Sequence, residues 1–585
     1  MRIFKMLSYI FTRKQRWQFA GLFVLQLIAT VLDFFGISLI LPFVNILVNP
    51  DAISGTWWAE MIGKILGSSE VKDILLFLTL LMIAVYVIKN AYLLFLVGLQ
   101  TRFNYNNHIR MGSKMITCYM HKPYTYHLQR NTSEIVRNIN HDVNSAFGVI
   151  SGLFALVSDA LIIIFLIVYL FAVDPWMTIA IMVALGICSA VYFLIVRKKI
   201  RQFGKENREI SAKMIKAIYQ SMGGIKEVKI MGREQYFSDV YVSAGKEMIY
   251  RKRRYAIISA IPSRMIETFC MGGILGVIAV KIAGGEDLGS LIPGLSAFAV
   301  CAIRLLPRAN SVNSHINSIT YALPSLESLY EELLESERLE KEREEEIARK
   351  KAEKKTVEVG RENDIFVKNL TFTYPEKEAP VLKNINLSIA HGTSVGIIGV
   401  TGAGKTTLVD IILGVLKPQE GMICYGTLDI HEDYAEWQKH IGYIPQNIYL
   451  TDESIRKNVA LGVPEEEIDD AKVWKALENA QLAEFVRSLE EGLDTVVGER
   501  GVRISGGQRQ RIGIARALYH DPEILFFDEA TSSLDNETEA AVMESIKSLG
   551  GDKTMIIVAH RLTTIEHCDH VYKVEENGIS ETKLH

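Results

Sequence analysis

Six bilayer-spanning helices followed by a parallel α/β domain is the architecture that three features of this chain predict. Its first half holds six apolar stretches, each close to or above the ~20 residues that a spanning helix needs. The glycine-rich loop Gly399-Val400-Thr401-Gly402-Ala403-Gly404-Lys405-Thr406 follows the short apolar run Val395–Ile398 and precedes a helical pattern. A second apolar run, Ile524-Leu525-Phe526-Phe527, ends in the carboxylate pair Asp528-Glu529. At 585 residues the chain exceeds one ordinary core, and its net charge of −3 averages over two unlike halves. Six scattered cysteines without a CxxC pair argue against a disulfide framework or a zinc site. The cluster His567-Cys568-Asp569-His570 fits no common ligand spacing and is taken as an exposed polar segment.

The spans fall at about 17–48, 72–100, 144–173, 176–196, 255–281 and 288–306. Segments 49–71, 174–175 and 282–287 contain one basic residue, Lys64, whereas 197–254 is densely basic from Arg197-Lys198-Lys199 to Arg251-Lys252-Arg253-Arg254. Lys and Arg accumulate on the cytoplasmic side, so both termini and the two long loops are expected inside. Apolar residues recur at helical spacing through 102–143 and 200–250, so the membrane helices should continue beyond the bilayer as hairpins. Their tips are expected near Asn131–Ile135 and Gly223–Glu227.

Residues 1–16 carry Phe4, Leu7, Ile10 and Phe11 on one helical face among basic neighbours, which predicts an interfacial elbow helix rather than a cleaved signal. The membrane domain then runs over 17–324, a charged helical linker rich in Glu, Lys and Arg over 325–360, and the α/β domain over 361–585. Between the first two spans, Trp57, Trp58, Met61, Ile62 and Ile65 share a face suited to a short helix on the outer leaflet.

Asp33, Lys89, Asp159, Arg264, Glu267 and Arg304 interrupt the spans. A charge at mid-bilayer costs about 3 kcal/mol on insertion scales, so such residues face a bundle interior or a wet cavity. Lys89, Arg264 and Arg304 are therefore candidates to line a route for a phosphate or pyrophosphate group; alternatively Lys89 or Arg304 pairs with Asp33 or Glu267, or sits at the membrane boundary.

A strand, a glycine loop and a helix in that order form a phosphate cradle. Gly399, Gly402 and Gly404 let backbone N–H groups approach the anion, and the helix N-terminus adds a positive field. Lys405 suits the β- and γ-phosphates of ATP, with Thr407 beside it, and Thr406 suits Mg²⁺ through its hydroxyl. Asp528 suits Mg²⁺ as well, and Glu529 suits the activation of an attacking water.

With Ile504-Ser505-Gly506-Gly507-Gln508 added, the sequence resembles the ATP-binding cassette (ABC) transporters of the exporter type. The resemblance implies that Ser505, Gly506, Gly507 and Gln508 bind the γ-phosphate of ATP held by a second subunit. It also implies an adenine-stacking role for Tyr374 and an Mg²⁺ role for Gln446. Asp535, in Ser533-Leu534-Asp535, would communicate between the two sites, and His560 would stand near the γ-phosphate. Gly498-Glu499-Arg500-Gly501 is similar to the loop that precedes the signature in exporters. The simplest assembly is a homodimer of identical subunits with two intact sites. No nucleic-acid partner is expected.

Within the membrane half, Ile37–Phe43 and Arg304–Asn310 are similar to stretches of the PglK-type flippases of the bacterial inner membrane. That likeness implies ATP-driven movement of a lipid-linked oligosaccharide, a polyprenyl-pyrophosphate glycan, with Lys89 and Arg304 at matching places. Arg264 departs by one position, Ser263 standing where the arginine is expected. The alternatives are an exporter of lipids, hydrophobic drugs or peptides, or an ATPase that regulates a membrane partner.

Overall fold

The computed structural model describes residues 2–38, 64, 71–173, 175–284, 288–352, 363–375, 377–528, 537, 539–542, 544, 553–558, 565–566, 568–575 and 578–582. Two compact units divide the chain: 1–122 with 130–340, and 123–129 with 341–585.

The first unit is helical. An N-terminal helix α1 (Arg2–Ile10) precedes α2 (Arg13–Ser38), α3 (Val71–His121), the short α4 (Tyr124–Gln129) and α5 (Thr132–Arg137). A π turn at Asn138–Asp142 leads into α6 (Val143–Val173), then α7 (Pro175–Gly223), α8 (Ile225–Ile230), α9 (Glu234–Ala283) and α10 (Leu288–Ala352). Each predicted span thus lies on a long helix, except that residues 39–48 of the first fall outside the described residues. Among the described residues, Lys72–His121 and Thr132–Val168 are long and apolar enough to cross a membrane. As the spacing indicated, α3, α7 and α9 run far past the spans without a break.

Three details differ from the sequence expectation. The first hairpin turns through α4, at Tyr124–Gln129, earlier than the expected tip, because Pro123 stops α3 two residues after its end. The charged linker is no separate element up to Ala352: it continues the sixth span's helix α10 over 65 residues. The apolar face of α1 is also turned into the protein. Met6, Leu7, Ile10 and Phe11 are buried while Phe4 is exposed, and the Tyr9 hydroxyl donates to Glu337, with its ring edge-on to Tyr330 at 5.2 Å. The predicted Trp57/Trp58 helix lies outside the described residues.

Long-range ion pairs tie the helices together. Lys122, buried at the end of α3, donates to Glu332 and Glu335 of α10, each at 2.6 Å. Asp142 in the π turn has no exposed side-chain surface and binds Arg208 of α7 at 3.0 Å and Arg137 at 3.5 Å. Ser325 of α10 donates to its other oxygen at 2.8 Å. Burial alone would raise the Asp142 pKa; His141, Arg208, Ser325 and Arg137 outweigh it and hold the carboxyl below its ordinary range.

The second unit is α/β. A four-stranded antiparallel sheet of order β2-β1-β4-β5 is made by β1 (Ile365–Phe372), β2 (Leu382–Ile389), β4 (Glu420–Tyr425) and β5 (Leu428–Asp429). A six-stranded sheet of order β10-β9-β3-β8-β7-β6 contains β3 (Ser394–Ile398), β6 (Ile441–Ile444), β7 (Ile524–Asp528), β8 (Thr554–Val558), β9 (His570–Glu575) and β10 (Gly578–Glu581). This unit also contains the helices α11 (Lys405–Ile412), α12 (Tyr434–His440), α13 (Ile455–Val459), α14 (Asp470–Asn479), α15 (Ala483–Ser488) and α16 (Gly506–Leu518). In the larger sheet β3 runs parallel to β8 and β9, and β7 parallel to β6 and β8. Strands buried on both faces read as continuous apolar runs, which is why Ile524–Phe527 and Val395–Ile398 were recognisable.

Candidate nucleotide site and membrane charge cluster

The phosphate loop springs from the end of β3, in the middle of the parallel sheet, and closes on the N-terminus of α11. A ligand crevice at the carboxyl ends of parallel strands is the general rule for open α/β sheets. Gly399 touches the next strand so closely that a Cβ there would lie 2.5 Å from the Val574 carbonyl oxygen. Gly404 caps α11 with φ of 99°, a left-handed conformation that a side chain strains.

Lys405 folds back over this loop. Its Nζ donates to the carbonyl oxygens of Gly399 at 2.8 Å and Val400 at 3.3 Å, and the residue is only 6% exposed. Among the described residues it has no carboxylate partner. A buried ammonium held only by carbonyl oxygens retains most of its charge for an anion, and this fits a polyphosphate above the loop. Thr406 is exposed at the helix start. Thr407 is buried, and its hydroxyl shares a 3.1 Å hydrogen bond with the Tyr374 hydroxyl. Tyr374 is thereby fixed beside the loop, its ring edge-on to Phe372 at 5.0 Å.

Asp528 ends β7, two strands from β3, and is 8% exposed. Two neighbours escaped the sequence reading. Asp410, one turn into α11, has its pKa pushed up to about 6, first by burial and then by the charge of Asp528. Tyr443 of β6, on the neighbouring parallel strand, hydrogen-bonds Asp528; burial and the two aspartates hold its hydroxyl well above its ordinary pKa. Asp410 was legible as a carboxylate six residues after the glycine loop ends at Gly404. Gln446 is exposed just past the end of β6. Glu529, Asp535 and His560 lie outside the described residues.

Ser505, Gly506, Gly507 and Gln508 form the start of α16. The Ser505 hydroxyl accepts from the Gln508 N–H at 3.2 Å, and the Gln508 side chain accepts from the Ser505 N–H at 2.8 Å. This reciprocal capping box uses two of the end groups and leaves Ser505 and Gly506 exposed at the positive end of a 13-residue helix.

In the membrane domain the three candidate cavity residues part company. Lys89 is buried, with its Nζ 2.8 Å from Asp33 and 4.7 Å from the Tyr86 ring centre. Of the roles open to it, the ion pair is the one present. Arg264 is exposed and pairs with Glu267 at 3.0 Å on its own helix. The side chain of Arg304 lies outside the described residues. Arg308, which the sequence reading did not single out, bridges Asp33 at 3.0 Å and Asp159 at 2.7 Å. It lies just beyond the expected end of the sixth span, and only the unbroken length of α10 carries it into the bundle.

The comparisons agree with both halves. Residues 19–300 match the family described as ABC transporter transmembrane region, and 382–532 match the ABC transporter family. The ATP-dependent lipid A-core flippase of Cupriavidus metallidurans is 29% identical over 496 residues, covering 82% of this chain and 79% of that protein. The protein of the same description in Escherichia coli (strain K12) is 28% identical over 471 residues, covering 80% and 78%. In fold, the chain is similar to a bacterial Atm1-family ABC exporter with ATP bound, with a TM-score of 0.74 at 20% identity over 97% of this chain and 94% of that one. The chain belongs to the ABC transporters, as an exporter-type half-transporter that joins a membrane domain to an ATP-hydrolysing cassette in one polypeptide.

Proposed function

We propose that two copies of this chain form a homodimer in the bacterial inner membrane and use ATP to move a phosphate-bearing glycolipid between leaflets. The single observation that carries the reading is the division of the phosphate-binding groups. One set surrounds Lys405 and the other is the exposed start of α16, each a half-site for the same anion. In the dimer, the Ser505–Gln508 turn of each copy closes the nucleotide on Lys405 of the other. Exposed apolar residues along the α7–α9 hairpin, among them Tyr219, Met222, Ile230, Tyr236 and Ile249, support a partner surface.

Mg²⁺ suits the carboxylate pair Asp410 and Asp528, whose mutual repulsion a divalent cation relieves, with Thr406 and Gln446 as further oxygen ligands. When bound, the ion neutralises charge on the phosphates. Glu529 orients and deprotonates the attacking water, and His560 contacts the γ-phosphate. The hairpin turns, at α4 and at α8, pass the motion to the spans. The basic loops support a cytoplasmic location for both termini and the cassette.

For cargo, the membrane domain offers an apolar cavity of about 490 Å³ lined by Ile163, Met182, Ile266, Leu305 and Val312, with Thr178 and Asn313 as its polar members. This suits a lipid tail, and a lipid-linked oligosaccharide is the cargo we favour. The relatives described as lipid A-core flippases favour a second cargo, lipid A-core, equally well. Reconstituted into vesicles, the protein is expected to flip one of these lipids in an ATP-dependent way, with Arg304→Ala slowing transfer. Flipping of neither lipid, with ATPase activity intact, would refute the glycolipid assignment.

A further inference from the structure

A pocket of about 540 Å³ lies between α7 and α9, lined by Lys199, Gln202, Glu206, Arg251 and Arg254 on its polar side and by Phe203, Ile257 and Ile258 on the other. Three cations face one carboxylate, a surplus of two positive charges. Arg251 pairs with Glu206 at 3.1 Å, yet its Nε is buried without a hydrogen-bond partner. Arg254 lies over the Tyr250 ring at 4.8 Å from its centre. In sequence, Lys199 stands just past the fourth span and Arg254 just before the fifth, so the pocket sits at headgroup depth on the basic side of the membrane.

A second groove, of about 400 Å³, begins where the first ends. The two share Ile257, and the second, whose polar members are Thr268 and the Glu267-paired Arg264, continues along α9 past Ile261 and Met265 to Phe269. These residues recur every fourth position, so they line one face of the helix over roughly 18 Å. One leaflet of a hydrocarbon core is about 15 Å deep. A cationic pocket at the interface that adjoins a mostly apolar groove of leaflet length matches the two ends of a lipid, which a free anion does not.

We infer that this composite site binds an anionic phospholipid resident in the cytoplasmic leaflet. Its phosphate lies among Lys199, Arg251 and Arg254, and one acyl chain lies along Ile257, Ile261, Met265 and Phe269. The leaflet named rests on the inside orientation proposed above. The lipid is a fixed ligand of the α7–α9 hairpin, distinct from the cargo.

The test uses full-length protein in nanodiscs of phosphatidylcholine titrated with dioleoyl phosphatidylglycerol, with bound lipid counted by native mass spectrometry. Nanodiscs supply the lipid in both leaflets, so an inverted orientation leaves this assay unaffected. Lys199→Gln with Arg254→Gln is expected to weaken retention of phosphatidylglycerol about 25-fold, roughly fivefold per charge. Lys252→Gln with Arg253→Gln removes two exposed charges of similar depth outside the pocket, and is expected to change retention less than twofold. Equal losses in both variants, or none in either, overturn the site. Competition by inorganic phosphate or dihexanoyl phosphatidylglycerol as strong as by the dioleoyl lipid overturns the groove. Displacement by an equimolar lipid-linked glycan assigns the pocket to cargo and overturns the resident lipid.

Discussion

Buried cations in the two halves of this protein are treated in opposite ways. In the membrane domain Lys89 and Lys122 each meet a carboxylate within 2.8 Å, and Arg137 and Arg208 share Asp142. In the cassette, Lys405 is equally buried but rests on two backbone carbonyls. The first arrangement is closed: each cation meets a carboxylate that the protein itself supplies, and what it provides is attachment between helices. The second is open: among the described residues no carboxylate pairs with the ammonium, which leaves the counter-charge to the substrate. Burial of a charge therefore marks function only where the protein has not supplied the partner itself.

Mutations can break this contrast. The largest effect on stability is expected from Asp142→Ala, which strands Arg137 and Arg208 in a closed cluster and should cost about 3–5 kcal/mol. The unfolding midpoint of the purified protein reads this, and adding Arg208→Ala is expected to restore part of the loss. A midpoint unchanged by Asp142→Ala would show that the cluster is not closed.

Lys405→Ala is expected to do the reverse. ATP turnover should fall by about 10²–10³-fold, as for the loss of one preorganised donor, while the unfolding midpoint of nucleotide-free protein stays nearly constant. A large drop in the midpoint would mean that Lys405 serves structure as Lys122 does.

The smallest expected effect sharpens the electrostatics of the open site. The folded-state pKa of Asp410 is pushed up to about 6 by burial and Asp528. A carboxyl with a raised pKa binds its proton more tightly when folded, so its stabilising contribution is complete below about pH 4 and is lost as pH rises through about 6. In nucleotide-free protein, Asp410→Asn should therefore stabilise the cassette at pH 7.5 by about 1 kcal/mol after allowance for solvent screening. It should also flatten the pH dependence between 4 and 6, which unfolding scans across that range measure.

The local parts of the design were legible in the sequence and the long-range parts were not. The glycine loop, the apolar strands and the helical continuation of the spans are patterns within a few tens of residues, fixed by backbone period and turn chemistry. Lys122 and Glu332 are 210 positions apart, and Arg308 and Asp33 are 275 apart. Nothing in either neighbourhood announces its partner. The buried face of α1 shows the same limit: an amphipathic pattern gives the apolar side but not whether lipid or protein covers it. Pro123 is a helix stop readable in the sequence, and the first hairpin turn follows it directly.

The most direct measurement of the shared-site account is complementation between two inactive variants. Lys405→Ala disables the loop and Ser505→Arg disables the signature turn, so each alone should hydrolyse almost no ATP. Co-expressed in equal amounts, they should form mixed dimers in about half of the cases, each with one intact pocket, and recover roughly a quarter of the parental rate. Hydrolysis no faster than either variant alone, or full activity of Ser505→Arg by itself, would contradict a nucleotide held between two copies.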